Sequence, residues 1–303
     1  MNSLRRRLLP AVLIAALALP PAAVAAPQAP ADPALHQLVG ADETIAPAGE
    51  EVVISAGHAD LGPLITIDGV DLLVRDDTAD PPVWRHLDDV VFEVSDAAAQ
   101  TLPPGDAFDF TGAAGGAQVW VVPQTEVAGV PWLGWNTQSP ALVGAADRGV
   151  TLEFAGHSGP GQFSLFLQNG GFEPPQQLWN SAAEGTQPMW VELNTHTHAN
   201  WVFSEPGIHQ VAVTAVVPLL DGTTLRDTEV VTLAVGSGAD VAAAQGTEWS
   251  GAFREADSHS SVVGDLPSSS AVAWIVGGVV LLVVVIAAVA MVIRPSRSSR
   301  GRK

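Results

Sequence analysis

Four residues in two distant segments have the chemistry of a metal site. His196-Thr197-His198 places two imidazoles two positions apart, and Gly57-His58-Ala59-Asp60 places an imidazole and a carboxylate at the same spacing. On a β-strand, side chains two apart point to one face. Either segment alone therefore offers a preformed pair of donors, and together they offer three imidazole nitrogens and one carboxylate oxygen. That set suits Zn²⁺ well and Mn²⁺ acceptably. Alternation through 191–203 puts Glu192, Asn194, His196, His198 and Asn200 on a polar face. Val191, Leu193, Ala199, Trp201 and Phe203 fall on a core face. On that pattern Asn194 and Asn200 are expected to orient the imidazoles from behind, whereas Glu192 suits a hydrated sheet face. The competing reading is a set of hydrogen-bonded polar residues beside a loop.

Other residues weigh less. His157 lies in the turn Gly156-His157-Ser158-Gly159-Pro160-Gly161, and His86, His209 and His259 have no partner pattern. Trp132 and Trp135, in Pro131-Trp132-Leu133-Gly134-Trp135-Asn136-Thr137, bring two large rings close together. They read either as core anchors, the commoner role, or as a platform for cell-wall glycan or a protein partner. No Gly-x-Ser-x-Gly elbow, phosphate-binding loop or His-Glu-x-x-His occurs, so no catalytic machinery stands out. A metal-dependent hydrolase remains a third possibility, resting on the metal alone.

The elements that must carry these residues are strands. Glu51–Ser55, Leu64–Ile67, Val70–Val74, Asp89–Val94, Gln118–Val122, Val150–Phe154, Gln162–Leu167, His209–Val216 and Asp227–Val235 are β-branched or alternating runs separated by Gly, Pro and Asp turns. Asp68-Gly69 and Asp221-Gly222 are hairpin turn signals. No amphipathic helix is expected between Gly49 and Gly236. The expectation is an all-β fold, a β-sandwich of immunoglobulin-like or jelly-roll-like type, over 49–236, with long loops at 102–116 and 170–187.

The flanks give the setting. Arg5, Arg6 and Arg7, an apolar run from Leu8 to Leu19 and the small residues Ala23-Val24-Ala25-Ala26 read as a signal peptide over 1–26. A Pro/Ala-rich segment (27–48) leads into the domain. A Gly/Ala/Ser-rich acidic stretch (237–270) reads as a flexible stalk. Ala271 to Ile293 is uncharged and apolar, long enough for one membrane crossing, which takes about 20 residues. Arg294, Arg297, Arg300, Arg302 and Lys303 follow as a basic tail (294–303), which orients the domain outward. The chain is thus expected to be a single-pass membrane protein with an extracellular N-terminal domain and a cytoplasmic C-terminus.

Formal charge is −19. The 13 basic residues sit mostly at the two ends, and only Arg75, Arg85, Arg148, Arg226 and Arg254 face the 32 acidic residues of the expected exported part. Such a surface argues against nucleic-acid binding and favours cations. Its reach is only about a Debye length, ~8 Å at physiological salt, so specific capture needs ligands. Cysteine is absent, which removes disulfides and thiolate chemistry and leaves stability to the core.

Taken in order, Gly57–Asp60, Val119-Trp120-Val121-Val122-Pro123-Gln124, Pro131–Thr137, Gly159–Gly161 and His196–Phe203 resemble the actinobacterial surface-anchored protein domain found in choice-of-anchor M proteins. The resemblance spans roughly Asp42 to Val235. It departs at position 209, where an aromatic is expected and His209 stands. Members of that family tend to be encoded beside metal-type ABC transporters and their substrate-binding proteins. The resemblance therefore implies an accessory role in metal acquisition at the cell envelope, with zinc or manganese as the ion, and gives no reason to expect an enzyme.

Overall fold

The computed structural model describes residues 38–170 and 173–254. Sixteen strands make up nearly half of them. In chain order they are β1 (Val52–Ile54), β2 (Gly57–Ile65), β3 (Val70–Asp76), β4 (Val83–Arg85), β5 (Val90–Val94), β6 (Ala99–Thr101), β7 (Gln118–Val122), β8 (Pro131–Asn136), β9 (Gly149–Ser158) and β10 (Phe163–Leu167). Then follow β11 (Gln176–Asn180), β12 (Gln187–Glu192), β13 (His196–His198), β14 (Asn200–Phe203), β15 (Gly207–Pro218) and β16 (Thr224–Val235). Two short helices, α1 (Pro140–Ala145) and α2 (Val241–Gln245), lie outside the sheets. The all-β expectation holds. Within 49–236, where no amphipathic helix is expected, α1 is a six-residue segment with Pro140 at its first turn, too short to show a helical period.

Three sheets form. Their orders are β1-β5-β16-β15-β9-β12, β11-β10-β14-β7-β6 and β13-β8-β2-β3-β4. Both turn signals act as expected. Asp68-Gly69 closes β2 onto β3 with Ile65 opposite Val70, and Asp221-Gly222 lies in the turn joining β15 to β16, where Pro218 opposes Thr224. Parallel pairing of β2 with β8, and of β5 with both β1 and β16, is not a local signal in the sequence. It brings together segments far apart along the chain.

One apolar cluster ties the three sheets together. Leu61, Leu72 and Val74 come from one sheet, Phe92, Phe154, Val213 and Leu233 from another, and Phe163, Trp179 and Trp201 from the third. Trp201 is fully buried, with its ring centre 5.6 Å from Phe163 and 6.1 Å from Trp179. Its indole N–H donates to the Leu133 carbonyl at 3.2 Å, so the ring is buried without an orphaned donor.

The stretch expected to be a stalk begins packed on this body. Asp240 caps α2 by accepting from the amides of Ala242 and Ala243. Further on, the Arg254 amide donates to the Ala155 carbonyl at 2.7 Å, and its guanidinium donates to the carbonyls of Ser181, Ala183 and Gly185. That guanidinium also lies 4.6 Å from the centre of the Phe154 ring. The signal peptide, the rest of the stalk, the apolar segment 271–293 and the basic tail lie outside the described residues. Among the described residues no helix is long and apolar enough to cross a membrane.

Candidate metal centre

Sheet register assembles the site. In β2–β8 pairing, His58 lies opposite Trp132 and Asp60 opposite Gly134. In β8–β13 pairing, His198 lies opposite Gly134 and His196 opposite Asn136. On the far side of β2, Asp60 is opposite Arg75, which in turn is opposite Trp84 on β4. One row across the five strands therefore reads Trp84, Arg75, Asp60, Gly134, His198. With period-two alternation, His58, Asp60, His196 and His198 share one face.

The four donors converge. Their candidate ligand atoms all lie within 4.8 Å of one another. The Nε2 atoms of His58, His196 and His198 form a triangle with sides of 3.1, 3.0 and 3.0 Å. Asp60 Oδ2 is 3.1 Å from His196 Nε2, and Asp60 Oδ1 is 3.6 Å from His58 Nε2 and 3.7 Å from His198 Nε2. Four ligands placed tetrahedrally about 2.05 Å from an ion are separated by about 3.3 Å. The observed separations bracket that value. Asp60 Oδ1 is also buried without a hydrogen-bond partner, an arrangement that costs stability unless something else satisfies it. The donor set therefore fits a divalent cation that takes nitrogen ligands. It does not fit calcium, which takes six to eight oxygens.

Charge and protonation agree with this. Burial by itself would raise the Asp60 carboxyl, but the hydrogen bond to His196 and the neighbouring imidazoles outweigh it and hold the group below its ordinary range. Burial pulls His198 down to about 3; His58 and His196 add to the effect and Asp60 opposes it. At neutral pH the site thus presents an ionised carboxylate and a neutral His198 imidazole, the forms that ligate.

His58 is set by a further layer. Its Nδ1 bonds Asp77, which fixes the proton on Nδ1 and frees Nε2. Burial favours neutral His58, but the Asp77 hydrogen bond and the charges of Asp60 and Asp77 raise its pKa overall. Asp77 is paired with Arg75, and Arg75 donates to Glu43 through Nε at 2.8 Å and Nη2 at 2.7 Å. Glu43 also accepts the Trp84 indole N–H at 2.9 Å. Asn136 Nδ2 donates to Asp60 Oδ2 at 3.2 Å. Trp132 stacks on the His198 ring with centres 4.0 Å apart and planes 16° apart. Gly134 forms the floor. A Cβ there would stand 2.6 Å from Asp60 Oδ1 and from the Thr197 carbonyl, and 2.7 Å from His198 Cε1.

The structure brings His58, Asp60, His196 and His198 together as expected and separates the rest. Asn194 has φ 59, a left-handed turn that breaks the strand between β12 and β13. The alternation therefore does not run through from Glu192 to Asn200. Asn200 bonds Gln124 instead, accepting its amide at 3.0 Å. The groups shown behind the ligands are Asp77, on the His58 imidazole, and Asn136, on the Asp60 carboxylate. Asp77 follows β3 in Arg75-Asp76-Asp77, where nothing local marks one carboxylate over the other. Trp132 and Trp135 are each 4 % exposed, so they pack rather than present a face to glycan. His157 and His209 meet one another away from the metal centre, with Nε2 of the first 3.0 Å from Nδ1 of the second. No protein-family model, curated protein or solved structure matches the chain.

Proposed function

We propose that this chain is a cell-surface protein, anchored by its C-terminal apolar segment, that binds one divalent transition-metal ion. In this reading it concentrates the ion for, or hands it to, an ABC uptake system or that system's substrate-binding protein at the cell envelope. The observation that carries the metal reading is the convergence of four donors from segments 138 residues apart. Zinc is the favoured ion, because three imidazoles and one carboxylate at tetrahedral spacing suit it, whereas manganese prefers six oxygen-rich positions. Four protein ligands fill a tetrahedral ion's positions, which favours holding the ion over activating a water on it. The resemblance to choice-of-anchor M proteins supports the transport connection, and the acidic composition supports attraction of cations.

Elemental analysis of the full-length chain tests the reading. The expected result is one zinc per chain that a chelator removes and zinc restores, and none in the His196→Ala, His198→Ala double variant. Unchanged zinc content in a folded double variant would refute it. For the transport role, the expected result is slower zinc uptake in cells that lack the protein, restored by the wild type and not by the double variant. Equal uptake in all three strains rejects that role while leaving metal binding intact.

A further inference from the structure

The three sheets each end at one cavity. β11, β12 and β13 are terminal strands of their respective sheets, and residues of all three line a cavity of about 510 Å³. That is within the usual range for small-ligand sites, about 300–1,000 Å³. β13 is the wall between this cavity and the metal centre: Thr195 and Thr197 line the cavity, while His196 and His198 point to the ion site.

The lining has a particular chemistry. Trp190 is 51 % exposed, unlike the buried Trp132 and Trp135. Its indole lies against Gly149, where a Cβ would come within 2.4 Å of Trp190 Cζ2 and 2.8 Å of Cε2. The missing side chain at Gly149 thus lets the ring rest on backbone with the rest of its surface left open. Gln176, Gln177, Leu178, Glu192 and Thr195 line the same cavity as Trp190. Amides, a hydroxyl and a carboxylate supply donors and acceptors, and the ring supplies an apolar platform. Among the described residues no lysine or arginine lines the cavity and the one charged lining residue is Glu192, so the cavity disfavours anions. The ligand that matches a flat apolar face, many uncharged hydrogen-bonding groups and no need for a counter-cation is a neutral sugar.

We propose that the cavity at the meeting of β11, β12 and β13 binds a neutral oligosaccharide, with Trp190 as the stacking platform and Gln176, Gln177 and Glu192 as hydroxyl partners. This proposal does not rest on the metal reading.

The test titrates the full-length chain, followed by calorimetry, with tetrasaccharides of glucose, mannose, galactose and N-acetylglucosamine, and with an uncharged extended hexapeptide. The open strand edges make the peptide the competing occupant. Saturable binding of at least one tetrasaccharide is expected, weakened about tenfold or more by Trp190→Ala and retained within about threefold by Trp190→Phe. Metal content, measured on the same samples, is expected to stay at the wild-type value in both variants, which shows that they are folded. Absence of saturation by all four sugars, equal affinity in Trp190→Ala, or binding of the peptide alone would each overturn the proposal.

Discussion

Asp77 bonds the Nδ1 side of His58, and the affinity of the site should depend on it. Replacing Asp77 by Asn keeps an oxygen that can accept the His58 Nδ1 proton but removes the negative charge that raises the basicity of that imidazole. It also removes the charge opposite Arg75, which is held on its other side by Glu43. Removing a carboxylate behind a ligating histidine typically weakens metal binding by about 10–100-fold, equivalent to ~1.4–2.7 kcal/mol. His58 is one of four donors, and its neighbour Arg75 remains anchored by two hydrogen bonds to Glu43. The expected loss therefore lies in that range and leaves stoichiometry unchanged. Competition of the full-length chain against a chromophoric chelator, at fixed pH and in excess salt, measures it. An affinity within about twofold of wild type would refute the role given to Asp77. A halved stoichiometry would also do so, since it would mean that the variant disrupts the sheet rather than the imidazole.

Gly134→Ala should abolish or sharply weaken metal binding, because the new methyl would occupy space beside Asp60 and His198; zinc stoichiometry on folded protein reads this, and a wild-type value contradicts it. Trp201→Ala should cost about 3–5 kcal/mol of stability, the usual range for a large aromatic removed from a core, read as a shift in urea midpoint; a loss below about 1 kcal/mol would mean that the three-sheet core does not centre on this ring. Burial pulls both His157 and His209 down to about 4, assisted at His157 by Arg254 and at His209 by His157. The folded state therefore binds fewer protons than the unfolded chain between about pH 6.5 and 4, so stability is full above that window and falls as pH drops through it, by up to ~3 kcal/mol per histidine. The His157→Gln, His209→Gln double variant should lose less stability than wild type over the same window in urea titrations, and parallel curves would exclude the pair as the cause.

The ligands were legible in the sequence and their surroundings were not, for a physical reason. A strand's period of two is local, so His58 with Asp60 and His196 with His198 can be paired by spacing alone. The hairpins at Asp68-Gly69 and Asp221-Gly222 are local too. Parallel pairing of β2 with β8 is not, and it is this pairing that brings the two ligand segments onto one face with Gly134 beneath them. Extending the alternation from Glu192 to Asn200 failed at Asn194, where a left-handed residue resets the faces. Asn194 and Asn200 were misplaced as a result. Trp132 and Trp135 carry no sequence signal that separates a buried ring from an exposed one; the ring that is exposed, Trp190, lies in an otherwise ordinary alternating strand. His209 is a similar case. Its burial against His157 depends on β9 lying beside β15, which composition does not reveal.

In the proposed site three imidazoles and one carboxylate grip a single ion. X-ray absorption at the zinc edge of the loaded full-length chain tests it most directly. Four light-atom ligands at about 2.0–2.1 Å are expected, with the multiple-scattering signature of three histidines, falling to two in His58→Ala. A spectrum with one imidazole or none, or one unchanged in His58→Ala, would contradict it.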